Sequence, residues 1–253
     1  MKQFLIQSEH GIPLHDFGFQ MIEACRYKNW FNDSSDYTYL LTDNFTFITK
    51  ASEEVSNFIP IGSIKFVHNF LKQYHNISEL KPINIPKELR FDKYLKRECW
   101  FNNTKEFIVK IYNGEKLPVK KFIKSSQKVK HFTEITDDLS IVPDGRYFFS
   151  ELINIESEWR CFIYNKRLVG LQNYSGDFTL FPDLSIIYNS IYDYKDCPWA
   201  YTLDVGINKE DGTFIIEIHN FYSVGLYGFA DNRILPDMFE KSFKWIIEKY
   251  KEL

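Results

Sequence analysis

Apolar positions along the chain follow two periods, and the switches between them mark the elements. Phe4-Leu5-Ile6 predicts a short strand, and His15 to Cys25, with Phe17, Met21 and Ala24 on one side, predicts a helix. Tyr37 to Leu41 predicts a second strand and Phe45 to Ile48 a third. Ser63 stands as N-cap before Ile64 to Leu71, whose apolar residues recur at helical spacing. Strand, helix, strand, strand, helix describes a small α/β module. Lys81 to Arg90, with Pro82 and Pro86 among polar residues, reads as a linker. Beyond it the period is mainly two. Val119 to Lys124 alternates, an apolar strand closes on Glu151-Leu152-Ile153, and Glu158 and Arg160 share one face of a strand running to Tyr164. Asn165-Lys166 turn the chain back through Arg167 to Leu171. Ile186 to Pro198 has no clear period, and Phe221 to Gly228 is a loop with two glycines. Pro236 to Leu253 predicts a helix covering the sheet, its buried stripe being Phe239, Phe243, Ile246, Ile247 and Tyr250.

One predicted hairpin carries charge where charge is unexpected. Tyr201 to Ile207 and Thr213 to Asn220 flank Asn208-Lys209-Glu210-Asp211-Gly212, with Gly212 supplying a positive φ. If residues 209–212 are all loop, Asp204 faces Glu217. If only Asp211-Gly212 turn, Asp204 faces His219. Both registers leave Asp204, Glu217 and His219 on one face. Carboxylates opposite each other, about 4.5–5.5 Å apart at Cβ, repel. A hard divalent cation such as Mg²⁺ reverses that sign; scattered acids on a solvent-facing sheet are the plainer alternative.

Composition narrows the class without choosing the chemistry. The 253 residues suit one large domain or two small ones, and 44% hydrophobic with 18% aromatic residues indicates a globular protein. A formal charge of −3 gives no global pull toward nucleic acid or anionic membrane. Cys25, Cys99, Cys161 and Cys197 form no Cys-x-x-Cys pair and read as reduced thiols without a zinc site. No apolar run approaches about 18 residues and no signal pattern opens the chain, so a cytoplasmic location is expected. His10, His15, His68 and His75 have no ligand spacing, and the lysines from 110 to 130 read mostly as a solvated face. Lys124 is different: it ends a strand just before Ser125-Ser126, with Lys130 following, which suits it to meet phosphate.

The order of these parts resembles the ATP-grasp superfamily, in particular its phage-associated clade named for two arginines and a lysine. Phe122 to Thr133 is similar to that clade's lysine segment, Ser157 to Phe162 to its arginine strand, and Ile216 to Gly228 to its C-terminal motif. The resemblance covers roughly residues 95–253 and implies an α+β fold: two α+β subdomains clasping ATP over 91–253, preceded by a small α/β pre-ATP-grasp domain over 1–90. It also implies residue roles. Lys124, with Lys130 beside it, would contact the ATP phosphates. Glu151 and Leu152 would form the hinge that meets adenine, Glu158 would accept from the ribose hydroxyls, and Arg160 would neutralise phosphate. Asp204 and Glu217 would hold Mg²⁺. The wider superfamily usually ends on Glu-x-Asn, whereas Glu217-x-His219 is followed here by Asn220, so either His219 or Asn220 completes the metal set. Arg146 and Arg167 are both candidates for the clade's second arginine.

The expected function is an ATP- and Mg²⁺-dependent carboxylate–amine, or carboxylate–thiol, ligase working through an acyl-phosphate, with Lys124 and Arg160 as the catalytic charges. Its partners would be a small-molecule or peptide carboxylate and an amine acceptor, in the host cytoplasm if the protein is phage-encoded. The alternatives are a phosphotransferase using the same nucleotide site, a nucleotide-binding or structural protein that has lost chemistry, and a nucleic-acid-associated protein using the lysines from 110 to 130. The balanced charge weighs against the last of these.

Overall fold

The computed structural model describes residues 1–43, 55–129 and 131–251. The expected strand at Phe45–Ile48 and the candidate Lys130 lie outside these residues.

Three four-stranded sheets organise the described chain. In the first, β1 (Lys2–Glu9) pairs antiparallel with β2 (Ile12–Pro13) and parallel with β3 (Tyr37–Asp43) and β4 (Ile59–Ile61). Parallel neighbours need crossovers, and α1 (Asp16–Asn32) supplies the one between β2 and β3. Helix α2 (Ile64–His75) follows β4, and its cap is as expected: the Phe66 N–H donates to Ser63 Oγ at 3.2 Å.

The supposed linker is tied down. Ile85 and Leu89 are buried in a core shared with the third sheet, and Asn84 Nδ2 donates to the Ser126 carbonyl at 3.1 Å. Its isoleucines and leucine alternate with prolines and polar residues, so the composition resembles a tether while the apolar side chains still find a core. A single turn, α3 (Asp92–Leu95), leads into the second sheet.

The second sheet contains β5 (Cys99–Asn103), β6 (Lys116–Ser125), β7 (Thr133–Asp138) and β8 (Tyr147–Glu151), in the order β5-β8-β6-β7. Between β5 and β6 runs α4 (Lys105–Tyr112), whose Ile108 joins Leu117, Ile123 and Phe149 in a small core.

The third sheet contains β9 (Ser157–Tyr164), β10 (Arg167–Gly176), β11 (Ala200–Asn208) and β12 (Gly212–Asn220), all antiparallel, in the order β10-β9-β11-β12. Asn165 and Lys166 turn β9 into β10 with φ of 49° and 58°. The ambiguous stretch after it forms α5 (Leu184–Asp193), started by Asp183 Oδ1 accepting from the Ser185 N–H at 2.8 Å. Ile187 and Ile191 of α5 bury against Cys161, Ile163, Tyr201, Leu203 and Val205 on one face of the sheet. That leaves the alternate residues of β9 and β11 on the other face, and these include the charged ones.

The last helix, α6 (Leu235–Lys251), does more than cover a sheet. Phe239, Phe243 and Ile246 join one core with Leu5 of β1, Phe17 of α1, Phe70 of α2, and Phe162 and Ala200 of the third sheet. Among the described residues, no helix is long and apolar enough to cross a membrane.

Candidate functional site

One row of paired residues crosses the third sheet. Gln172 of β10 pairs with Arg160 of β9, Arg160 with Asp204 of β11, and Asp204 with Glu217 of β12. The hairpin reaches this pairing by a route that neither expected register contained. Asn208 pairs with Gly212, leaving a turn shorter by one than the four-residue loop, and a bulge at Ile216 restores the offset. As a result Ile215 and Ile218 both enter the core beneath the sheet, while Ile216 and Glu217, consecutive in sequence, both line the cleft above it.

The row is an electrostatic cluster. Arg160 grips Asp204 with both fork positions, Nε to Oδ1 at 2.8 Å and an Nη to Oδ2 at 2.7 Å, and donates a third bond to the Gly225 carbonyl at 3.1 Å. Asp204 is fully buried. His219 Nε2 lies 2.7 Å from Glu217 Oε1 and 3.9 Å from Asp204 Oδ2. Each of Asp204, Glu217 and His219 offers one ligand atom, and these atoms all fall within 4.8 Å of one another. Lys124, at the end of β6, reaches across from the second sheet to pair with Glu217. Burial opposes charge on Glu217, but His219 and Lys124 outweigh it and hold the carboxyl well below the usual range.

Beside the cluster lies a mainly apolar slot of about 210 Å³, walled by Ile83, Ile85, Phe122, Phe148, Ile216 and the segment Glu151-Leu152-Ile153. It sits between the second and third sheets, where β8 hands the chain to β9. A larger cavity of about 860 Å³ adjoins it and holds Glu158, Arg160, His219 and Asn220 together with His15, Phe17 and Ser63 from the first 90 residues. The expected residues outside the masked stretches therefore converge: Lys124, Glu151, Leu152 and Glu217 line the slot, and Lys124, Glu158, Arg160, Glu217, His219 and Asn220 line the larger cavity. The side chain of Glu151 is turned to Lys121 Nζ at 3.3 Å and to the Glu98 N–H at 3.2 Å, which leaves its neighbours' backbone at the slot.

Three features escaped sequence reasoning. Arg97 lines the slot and is held by Ser150 Oγ at 2.8 Å and the carbonyls of Leu95 and Ile215; burial lowers its pKa. It stands where neither Arg146 nor Arg167 does, for both of those are exposed. Its only sequence signal was a charge just before a strand. Lys121 is not on a solvated face but buried, over the rings of Trp100 and Tyr112. Tyr174 donates to Glu158 Oε2 at 2.8 Å and stacks on Tyr227, and both rings lie over the Arg160 guanidinium.

The sequence model of the ATP-grasp domain of R2K clade family 2 matches residues 94–236. The chain belongs to the R2K-clade ATP-grasp family. The match spans β5 to β12, and hence every residue of the charged row. No curated protein matches this R2K-clade chain. Among solved structures, the D-alanine–D-alanine ligase of Bacillus anthracis complexed with ATP is similar, at 10% identity over 98% of both chains, with a TM-score of 0.54. The N5-carboxyaminoimidazole synthetase of Staphylococcus aureus is similar at 10% identity over 94% of this chain and 77% of that one, with a TM-score of 0.58. The ATP-grasp ligase PsnB complexed with a minimal precursor is similar at 10% identity over 96% and 99%, with a TM-score of 0.53. At such identities the likeness is one of fold: the R2K-clade chain has the ATP-grasp fold.

Proposed function

We propose that this protein is an ATP- and Mg²⁺-dependent ligase that joins a carboxylate to an amine, or to a thiol, through an acyl-phosphate. The observation that carries the reading is the meeting of Lys124, Arg160 and the Asp204–Glu217–His219 cluster at the end of an apolar slot. An aromatic base suits the slot, with hydrogen bonds from the backbone of Glu151 to Ile153 fixing its edge. Glu158, oriented by Tyr174, would accept from the ribose. Arg97, Lys124 and Arg160 would then face the phosphates, Arg160 as a fork and Lys124 as a point charge. Residues 1–90 would form a small α/β domain and residues 91–253 the ATP-grasp domain, with substrate entering between them.

The donor set fits a hard cation. Two carboxylates and an imidazole lie within reach of one another, and beside them Asn220 Oδ1 is buried with no hydrogen-bond partner among the described residues. Asp204, Glu217, and His219 or Asn220 would hold Mg²⁺, which would supply charge neutralisation at the phosphates. In the reaction the substrate carboxylate oxygen attacks the γ-phosphorus and ADP departs. The acceptor nitrogen then attacks the acyl carbon, phosphate leaves, and the nitrogen loses a proton. The protein holds the reacting groups in line and neutralises the transferring phosphoryl group; no side-chain nucleophile takes part.

Thermal stabilisation by ADP or a non-hydrolysable ATP analogue, with and without Mg²⁺, tests the nucleotide site. Ligand at about 100 times its dissociation constant adds roughly 2.7 kcal/mol, and that shift should need Mg²⁺ and vanish in Lys124→Ala and Glu217→Ala. No shift at millimolar nucleotide would falsify the reading. Trapping with hydroxylamine then separates the chemistries: a hydroxamate marks an acyl-phosphate, while ADP release with a stable phosphorylated product marks a phosphotransferase.

A further inference from the structure

The cleft continues past the ion-pair cluster. Ser63, Ile64 and Val129 line both the central cavity and a second one of about 630 Å³, so the two are continuous. The second cavity runs along one face of α2, where Lys65, His68, Asn69 and Lys72 recur three and four residues apart. From Ile64 to Lys72 the helix rises about 12 Å, room for roughly four residues of extended chain at about 3.3 Å each.

The charge of this groove runs against that of the whole molecule. Outside the cluster of Lys124, Arg160, Glu217 and His219, Lys65, Lys72, Lys81 and Lys128 line the two cavities against the carboxylates of Glu79 and Glu158, four positive charges to two negative. The chain as a whole carries −3. Some lysines are engaged: Lys2, Lys28, Lys121, Lys124 and Lys244 all meet carboxylates. Lys72, Lys81 and Lys128 make no ion pair among the described residues, and all three are exposed. The outer cavity is also lined without any Phe, Tyr or Trp. A single-stranded nucleic acid would call for such stacking platforms; a row of carboxylates does not.

We propose that the groove along α2 binds an extended acidic peptide segment, the flank of a substrate whose reacting group lies at Lys124 and Arg160. This deepens the ligase reading and rests on it. Asn69 and Ser78 would meet the backbone of the segment, and the lysines would meet its carboxylates, so that sequence beyond the reacting residue contributes to recognition.

Fluorescence anisotropy tests this with a fluorescein-labelled Glu-Gly repeat of about ten residues, the matching Gln-Gly repeat, and a single-stranded oligonucleotide of similar length. The Glu peptide alone should bind, more weakly as salt rises from about 50 to about 300 mM. In Lys72→Glu/Lys81→Glu its affinity should fall roughly tenfold or more, with the nucleotide-dependent thermal shift unchanged, which also shows that the variant is folded. Equal binding of the Gln peptide, preference for the oligonucleotide, or no change in the double variant would each overturn the proposal. If wild type binds the Glu peptide through these lysines but shows no nucleotide shift, the groove stands and the ligase reading falls.

Discussion

Arg160 and Asp204 show how one residue pair serves both stability and chemistry. Asp204 has no solvent, and its carboxylate is compensated almost wholly by the Arg160 fork. Removing one member of a buried pair strands the other charge, which costs about 3–5 kcal/mol, whereas replacing both by apolar groups is often close to neutral. Arg160→Ala should therefore lower the free energy of unfolding in urea by about 3–5 kcal/mol. Arg160→Leu/Asp204→Leu should recover most of that loss while still failing to respond to nucleotide. If the double variant is as unstable as the single one, the pair is a net stabiliser, not a charge kept for function. Residues of this kind were legible because alternation alone puts Glu158 with Arg160 and Asp204 with Glu217 on one face. Lys121 and Arg97 were not, since their burial depends on Trp100, Tyr112, Ser150 and Ile215, which arrive from other elements.

At the scale of elements, the β11–β12 hairpin could be placed but not threaded from sequence. Counting from the turn gave two registers; the actual ladder follows neither near the turn and the first of them, with Asp204 opposite Glu217, beyond Ile216. A bulge is set by both faces at once: the lower face requires Ile215 and Ile218, and the upper requires Ile216 and Glu217. The turn residues carry no record of that demand. Gly206 belongs to the same arrangement. It pairs with Phe214, and a Cβ there would stand 2.5 Å from the Phe214 ring and 3.3 Å from Ile155. Phe214 is fully buried and lies beneath the Arg97 guanidinium at 5.7 Å. Gly206→Ala should therefore displace the ring and destabilise by about 1–3 kcal/mol, measured by chemical denaturation. It should also weaken nucleotide binding through Arg97, whereas Gly212→Asn, at a turn position with φ of 73° and open space around it, should leave binding unchanged. Equal effects of the two substitutions would remove the link between the hairpin and Arg97.

Over the whole molecule, α6 joins what the chain order separates. Its apolar face completes a core with β1, α1 and α2, and its polar face is pinned to the N-terminus. Lys2 Nζ lies 2.5 Å from Asp237 and 2.6 Å from Glu240, and Lys28 lies 3.0 Å from Asp237. Burial raises the pKa of each acid, but the lysines outweigh it and both carboxyls end below their ordinary values of 3.8 and 4.5. A group whose folded pKa is depressed stabilises fully above its ordinary value and loses that contribution as pH falls through the folded one. Stability contributed by this clamp should therefore be intact above about pH 4.5 and fall away in more acid solution. Lys2 shifts the other way, its pKa raised above 10.5, so its share is intact below that pH and lost only in stronger alkali. Thermal melts of wild type and Asp237→Asn from about pH 7 to pH 3 should differ most at neutral pH and converge in acid. Parallel curves throughout would show that the clamp contributes no acid sensitivity. Because α6 also bears on the third sheet through Phe162 and Ala200, the acid-weakened protein should lose its nucleotide-dependent stabilisation together with its N-terminal core, not after it.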